Sequence, residues 1–279
     1  MPASTPESTR ATFAKRAGRG YTPVRNSFVQ VREANKWVGS SLGRLVESRQ
    51  PRALSAYLLL LMGWPWLERR ENPLEAEVWA RALSRDAPGH PWPASAMTRV
   101  WNTLEKHELI ERTREGHLVR ITPRREDGGG AYARPRPDQG RRARERFFVI
   151  PDAFWLNGWY NKLTFPGVAV LLTLLAETQG RDSVHLSLDD AKDWYGISAK
   201  TLQNGLNDLR AHGLLGEQRQ WVVNDLSAIG VMPYFSYWPQ QDFSRSSRQK
   251  LQGAAMREAR KRVAKSAARA KKIKKAKRS

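Results

Sequence analysis

Two stretches of this 279-residue chain place polar side chains where they could read the edge of a nucleic acid. In residues 97–112 (MTRVWNTLEKHELIER), Met97, Trp101 and Leu104 recur at i, i+4 and i+7, one face of a helix. That leaves Ser95, Thr98, Arg99, Asn102 and Lys106 pointing away. In residues 202–217 (LQNGLNDLRAHGLLGE), Leu202, Leu206 and Leu209 take the inner face. Ser198, Lys200, Thr201, Gln203, Asn204 and Asn207 are left outside. Such residues recognise bases rather than break bonds. Arg pairs with guanine, Asn and Gln with adenine, and Thr touches the thymine methyl group. The plain alternative for each is a solvated polar face.

A second set suits phosphates. Arg112, Arg114, His117 and Arg120 flank a turn at Glu115-Gly116 between two short β-like runs, and Arg219 holds a similar place further on. Lys271, Lys272, Lys274 and Lys275 belong to a C-terminal run, KKIKKAKR. Trp101 and Trp194 are expected in the core rather than against bases.

Catalytic patterns are missing. The five His are dispersed, with no His-x-His or His-Glu-x-x-His spacing, and the sequence has no Walker loop. Zero Cys excludes disulfides, thiolate metal sites and a Cys nucleophile. Gly128-Gly129-Gly130 does not lie between a strand and a helix, and Asp189-Asp190 suits a helix start. A non-enzyme with no cofactor and no metal is expected.

Charge is concentrated at the ends. Of 48 Lys/Arg against 27 Asp/Glu, residues 1–50 hold nine against three and residues 245–279 hold fifteen against one. The middle is near neutral. Basic arms imply a polyanion partner, nucleic acid before anionic membrane. The longest apolar run, residues 56–63, falls far short of the ~18 residues a membrane span needs. A soluble, cytoplasmic, nucleoid-associated protein is expected.

The elements that must position these residues read twice along the chain. Each copy has a β-like run (28–31; 147–150), a Pro-started apolar helix (from Pro51; from Pro166), a second helix (74–83; 188–195) and the helix just described. A hairpin closes each copy, at 110–121 and 217–238. The expected division is a disordered basic arm over 1–24, one domain over 25–122 and an Arg/Pro/Gly linker over 123–146. A second domain over 147–240 and a Lys/Arg/Ala-rich tail over 241–279 follow. The fold class is mainly α with small β-hairpins (α+β), its N- and C-terminal arms largely disordered.

At the second copy Trp194-Tyr195-Gly196-Ile197-Ser198-Ala199-Lys200-Thr201-Leu202, with Gly205-Leu206, Leu209 and Gly213-Leu214-Leu215, resembles the winged helix-turn-helix of GntR-type bacterial regulators. The likeness covers about 35 residues. Ala199 and Gln203 stand where that family usually has Arg, and the first copy has Pro91-Trp92-Pro93-Ala94-Ser95 in place of the Gly-Ile-Ser turn. The two-copy plan is similar to tandem winged-helix plasmid replication initiators. The resemblance implies sequence-specific binding of double-stranded DNA, as a replication initiator or transcriptional regulator. Its partners would be DNA, replication or transcription machinery, and a second copy in a homodimer. A structured-RNA or ribosome-associated binder is the alternative. Deleting 245–279 should weaken binding to every sequence and spare site preference.

Overall fold

The computed structural model describes residues 4–33, 36–85, 92–135 and 145–276, with the side chains of 266–276 outside that description. It is a mixed α and β protein whose described strands lie in two-stranded antiparallel pairs. No described helix is long and apolar enough to cross a membrane.

The first finding corrects the N-terminal arm. Of residues 1–24, expected to be disordered, Pro6–Ala17 form helix α1 and Tyr21–Val24 most of strand β1 (Tyr21–Arg25), residues 1–3 lying outside the described residues. The caps explain the helix. The Thr5 side chain accepts from the Ser8 backbone N–H, Ser8 returns the bond to Thr5, Pro6 fills the first turn, and Gly18 ends the helix at φ +65°. Packing then holds it. Phe13 meets Trp66 and Trp79 edge-on at 5.3 and 5.5 Å between ring centroids. The buried Arg10 donates to the carbonyls of Ala82 and Ser84 at 3.1 Å and to the Tyr160 hydroxyl at 2.7 Å.

After β1 come a 3-10 turn (Asn26–Phe28) and a hairpin of β2 (Gln30–Glu33) and β3 (Lys36–Gly39). Phe28 and Val29, expected in a strand, instead plug the core at the turn. Helices α2 (Ser41–Glu47), α3 (Pro51–Leu67), α4 (Ala76–Leu83) and α5 (Ala94–Lys106) follow, then the hairpin β4 (Ile110–Glu115) and β5 (Leu118–Pro123). The second half runs β6 (Phe147–Pro151), short α6 (Ala153–Leu156) and α7 (Trp159–Lys162), α8 (Phe165–Glu177), α9 (Ala191–Tyr195) and α10 (Ala199–Ala211). It ends in the hairpin β7 (Leu215–Val223) and β8 (Val231–Pro239), followed by helix α11 (Arg245–Ala276).

The halves are not beads on a linker. β1 pairs with β6 along its full length, Tyr21 opposite Pro151 and Arg25 opposite Phe147. One contiguous apolar core runs through both halves. β3 and α2 close on the C-terminal end of α9 without a spacer, because Gly39 and Gly43 admit it. A Cβ at Gly39 would lie 2.3 Å from the Gly196 backbone nitrogen, and one at Gly43 2.6 Å from the Tyr195 carbonyl oxygen. Within the second half, Gly205 lets α10 close on α8; a Cβ there would stand 2.3 Å from Val170 Cγ2.

The linker is corrected in the same way, save residues 136–144, which lie outside the described residues. Its Glu126 is fully buried and receives the Arg25 backbone N–H at 3.1 Å and the Arg25 guanidinium at 2.7 Å. Glu145 takes the Arg25 Nε at 3.0 Å and Arg125 at 2.9 Å. The segment is therefore stitched under β1 by charge, and Tyr132 adds an aromatic contact, packed against the core with the Arg25 guanidinium 5.8 Å from its ring centroid.

Asp152 closes the β1–β6 ribbon, its N–H donating to the Gly20 carbonyl at 3.0 Å. Its side chain is buried and Oδ1 has no hydrogen-bond partner among the described residues. Burial pushes this carboxyl up to about 7. The folded state therefore holds the proton more tightly than the unfolded chain. The contribution to stability is complete below the ordinary Asp value and is lost as pH rises through about 7. Asp152→Asn should stabilise the protein at pH 8 by a few kcal/mol, on the order of the pKa difference, and change little at pH 4. Urea melts at both values check this; equal gains at both would show that ionisation is not the cause.

Candidate nucleic-acid interface

Helices α5 and α10 are built alike. Met97, Trp101 and Leu104 of α5, and Leu202, Leu206 and Leu209 of α10, are all buried. Trp101 stands edge-on to Trp79 at 5.3 Å, a core residue as expected. The opposite faces are open: Ser95, Thr98, Arg99, Asn102 and Lys106 are exposed on α5, as are Lys200, Gln203, Asn204 and Asn207 on α10, with Thr201 half-buried.

Their side chains are not equally available. Those of Arg99, Asn102 and Lys106 make no intramolecular hydrogen bond or ion pair among the described residues. On α10, Gln203 donates to Asn207 Oδ1 at 3.1 Å, and Arg210 donates to the same oxygen at 2.7 Å. That row leaves the Gln203 carbonyl and the Asn207 amide N–H for a ligand. Ser198, expected to face DNA, instead caps the helix: its Oγ accepts from the Thr201 N–H at 3.1 Å and bonds the Thr201 hydroxyl at 2.9 Å.

The junction after each helix repeats at a spacing of 105 residues. Leu109 N–H donates to Leu104 O, and Leu214 N–H to Leu209 O, each at 2.9 Å. Glu108 and Gly213 both have positive φ, +57° and +66°. Arg124 N–H and Gln240 N–H return to Leu109 O and Leu214 O. An ion pair joins each helix to the hairpin behind it, with the signs exchanged. Glu105 on α5 holds Arg112 on β4, while Arg210 on α10 holds Glu217 on β7 at 2.7 Å. The hydrogen bond from Arg210 holds the Glu217 carboxyl below its ordinary range. Exposed pairs contribute little stability; their repetition marks the two junctions as equivalents.

The hairpin cations divide. Arg112 is engaged by Glu105, and Arg120 by Glu115 and by the carbonyls of Arg70 and Glu71. Arg120 thus clamps the hairpin to the α3–α4 loop. Arg114 bonds only the turn, at Gly116 O, and His117 is exposed. On β7, Arg219 lies over the exposed Trp221 ring at 5.4 Å.

No family model, curated protein or solved structure matches this chain.

The C-terminal tail is corrected too. It forms α11, anchored by a residue the sequence did not single out. Arg248, 1% exposed, donates to the carbonyls of Phe243, Leu175 and Thr178 and to the side-chain oxygens of Thr178 and Gln179, at 2.8–3.2 Å. It closes the C-terminal end of α8, where free carbonyls gather. Burial, then Arg245, lowers its pKa to about 10, so the charge persists at neutral pH. Deleting from residue 245 would remove this anchor; a cut beyond Glu258 would not. The backbone at Lys271, Lys272, Lys274 and Lys275 is helical, and their side chains lie outside the described residues. Trp194 is corrected as well: it is 36% exposed rather than core.

Proposed function

We propose that this protein binds double-stranded DNA through two winged-helix halves, with α5 and α10 as the reading helices and β4–β5 and β7–β8 as the wings. One observation carries this reading. In each half a helix with a buried apolar stripe offers an uncovered polar face and is tied at its end to a hairpin. A helix fits the major groove, and a following hairpin can lie along phosphates. One chain then supplies two reading heads, as a dimer of single-headed proteins would. A plasmid-type replication initiator or a transcriptional regulator in the bacterial cytoplasm suits such a protein.

Arg99 is the strongest candidate for a guanine contact. Arg99→Ala should relax preference at one base pair by about 1–3 kcal/mol while leaving non-specific affinity within about twofold. Selection from random duplexes, followed by anisotropy titrations on the selected site, tests both statements. If no duplex motif is enriched and folded RNA competes equally at physiological salt, the reading fails in favour of RNA.

A further inference from the structure

An open groove runs along the seam of the two halves, between the β2–β3 hairpin, α9 and the start of α11. Three aromatic rings on its walls are not consumed by the core. Trp37 on β3 is 47% exposed and Trp194 on α9 36% exposed, and Tyr234 on β8 stacks on His185 at 4.2 Å. By contrast Trp79, Trp101 and Trp155 are buried. Neither α5 nor α10 carries any of the three rings on the groove.

The same walls hold cations. Arg32 lies over the Trp37 ring at 5.8 Å, and Arg44 and Arg146 also line the groove. None of these three has a carboxylate within ion-pair distance among the described residues. Two of the acids present are already engaged. Glu177 is held by Arg181 and accepts from the Tyr195 hydroxyl at 3.2 Å, and Asp127 pairs with Arg125. The wall also holds Ser27, 7% exposed, whose hydroxyl has no partner among the described residues; nor has Asn26 Oδ1. Gln252 and Met256 of α11 form one border, and the exposed Arg257, Arg260 and Lys261 carry positive charge onward from it.

We propose that this groove binds a single-stranded nucleic acid, its bases stacked on Trp37, Trp194 and Tyr234 and its phosphates met by Arg32, Arg44 and Arg146. In a duplex the base faces are covered by their neighbours. Only an unpaired strand can offer them to aromatic rings, and a cationic groove with such rings binds it with little sequence preference. The site goes beyond duplex reading and does not depend on it.

The test uses the full chain and fluorescent oligothymidylate and oligouridylate of roughly 20 nucleotides, long enough to span the groove. Replacing Trp37 and Trp194 together by Ala should weaken binding by about tenfold or more, and replacing both by Phe should restore most of it. Arg146→Glu should weaken binding and flatten its salt dependence. The thymidylate and uridylate arms separate a DNA strand from an RNA strand. Failure of wild-type protein to bind either oligonucleotide would overturn the proposal. So would an alanine pair that binds both as tightly as wild type, since the basic helix alone would then account for the affinity. Arg99→Ala should leave oligonucleotide binding intact, which separates failure here from failure of duplex reading.

Discussion

Glu126→Ala is expected to lower the free energy of unfolding by about 3–5 kcal/mol, the cost of leaving a buried guanidinium without its partner. Arg25 and Glu126 are both fully enclosed and 2.7 Å apart, and Glu126 also takes the Arg25 backbone N–H. Glu145, the other carboxylate on Arg25, is partly exposed and cannot replace both bonds. The loss should therefore reach β1, and through β1 the ribbon with β6 that joins the halves. Glu126→Gln keeps an acceptor and should cost less. The double change Arg25→Met, Glu126→Leu removes both charges and should recover most of the loss, because paired buried charges offset little more than their own desolvation. Chemical denaturation of the four proteins tests this. A loss under about 1 kcal/mol for the alanine variant would mean that water reaches Arg25 and the junction is open.

The same junction explains what could and could not be read in the sequence. The helices α5 and α10 were legible because their apolar spacing is local, and burial of Met97, Trp101, Leu202 and Leu206 follows from it. The outward set followed by subtraction. Strand β1 was hidden because Pro23 interrupts its pattern; a two-stranded ribbon tolerates proline, having an open edge. Helix α1 looked like a polar tail, although Thr5-Pro6 with Ser8 and a terminal Gly18 is a readable capping signal. Residues 123–135 and 145–146 read as a linker because the contacts that hold them are distant, over a hundred residues away for Arg25 and Glu126, and Tyr132 is a lone aromatic with no periodic pattern around it. Nothing local marks a charged residue for burial. In the adjacent pair Trp194 and Tyr195, residue type alone does not mark which one stays exposed; Tyr195 is buried and Trp194 is not.

Availability was the least legible property. Composition treats Arg99 and Arg120 as equivalent cations, yet one is unengaged and the other is held by Glu115 and two carbonyls. Ser198 is polar and at the right end of the right helix, and its hydroxyl is used by the helix itself. The two arms of the protein differ in the same sense. On the N-terminal helix Arg10 is spent inside while Lys15 and Arg16 stay exposed, whereas every described cation of α11 beyond Arg248 is exposed.

That asymmetry sets the second large effect. A chain ending at Glu258 keeps the Arg248 anchor, and loses eleven Lys/Arg and no acid. Only Lys261 among the described cations beyond 256 has a carboxylate partner, Glu258 at 3.0 Å. Arg257, Lys261 and Lys265 follow one another at i, i+4, where like charges destabilise a helix. Phosphates relieve that repulsion, so the helix and a polyanion favour each other. If about half of the eleven meet phosphates, the slope of log affinity against log salt should become shallower by roughly 5. Affinity for any duplex near 0.1 M salt should then fall by about a hundredfold or more, with the ranking of sequences preserved. Titrations of the shortened and full chains on a selected site and on an unrelated duplex, at three salt concentrations, supply both slopes. An unchanged slope would show that α11 points away from the DNA. A changed ranking would show that it reads bases as well as phosphates.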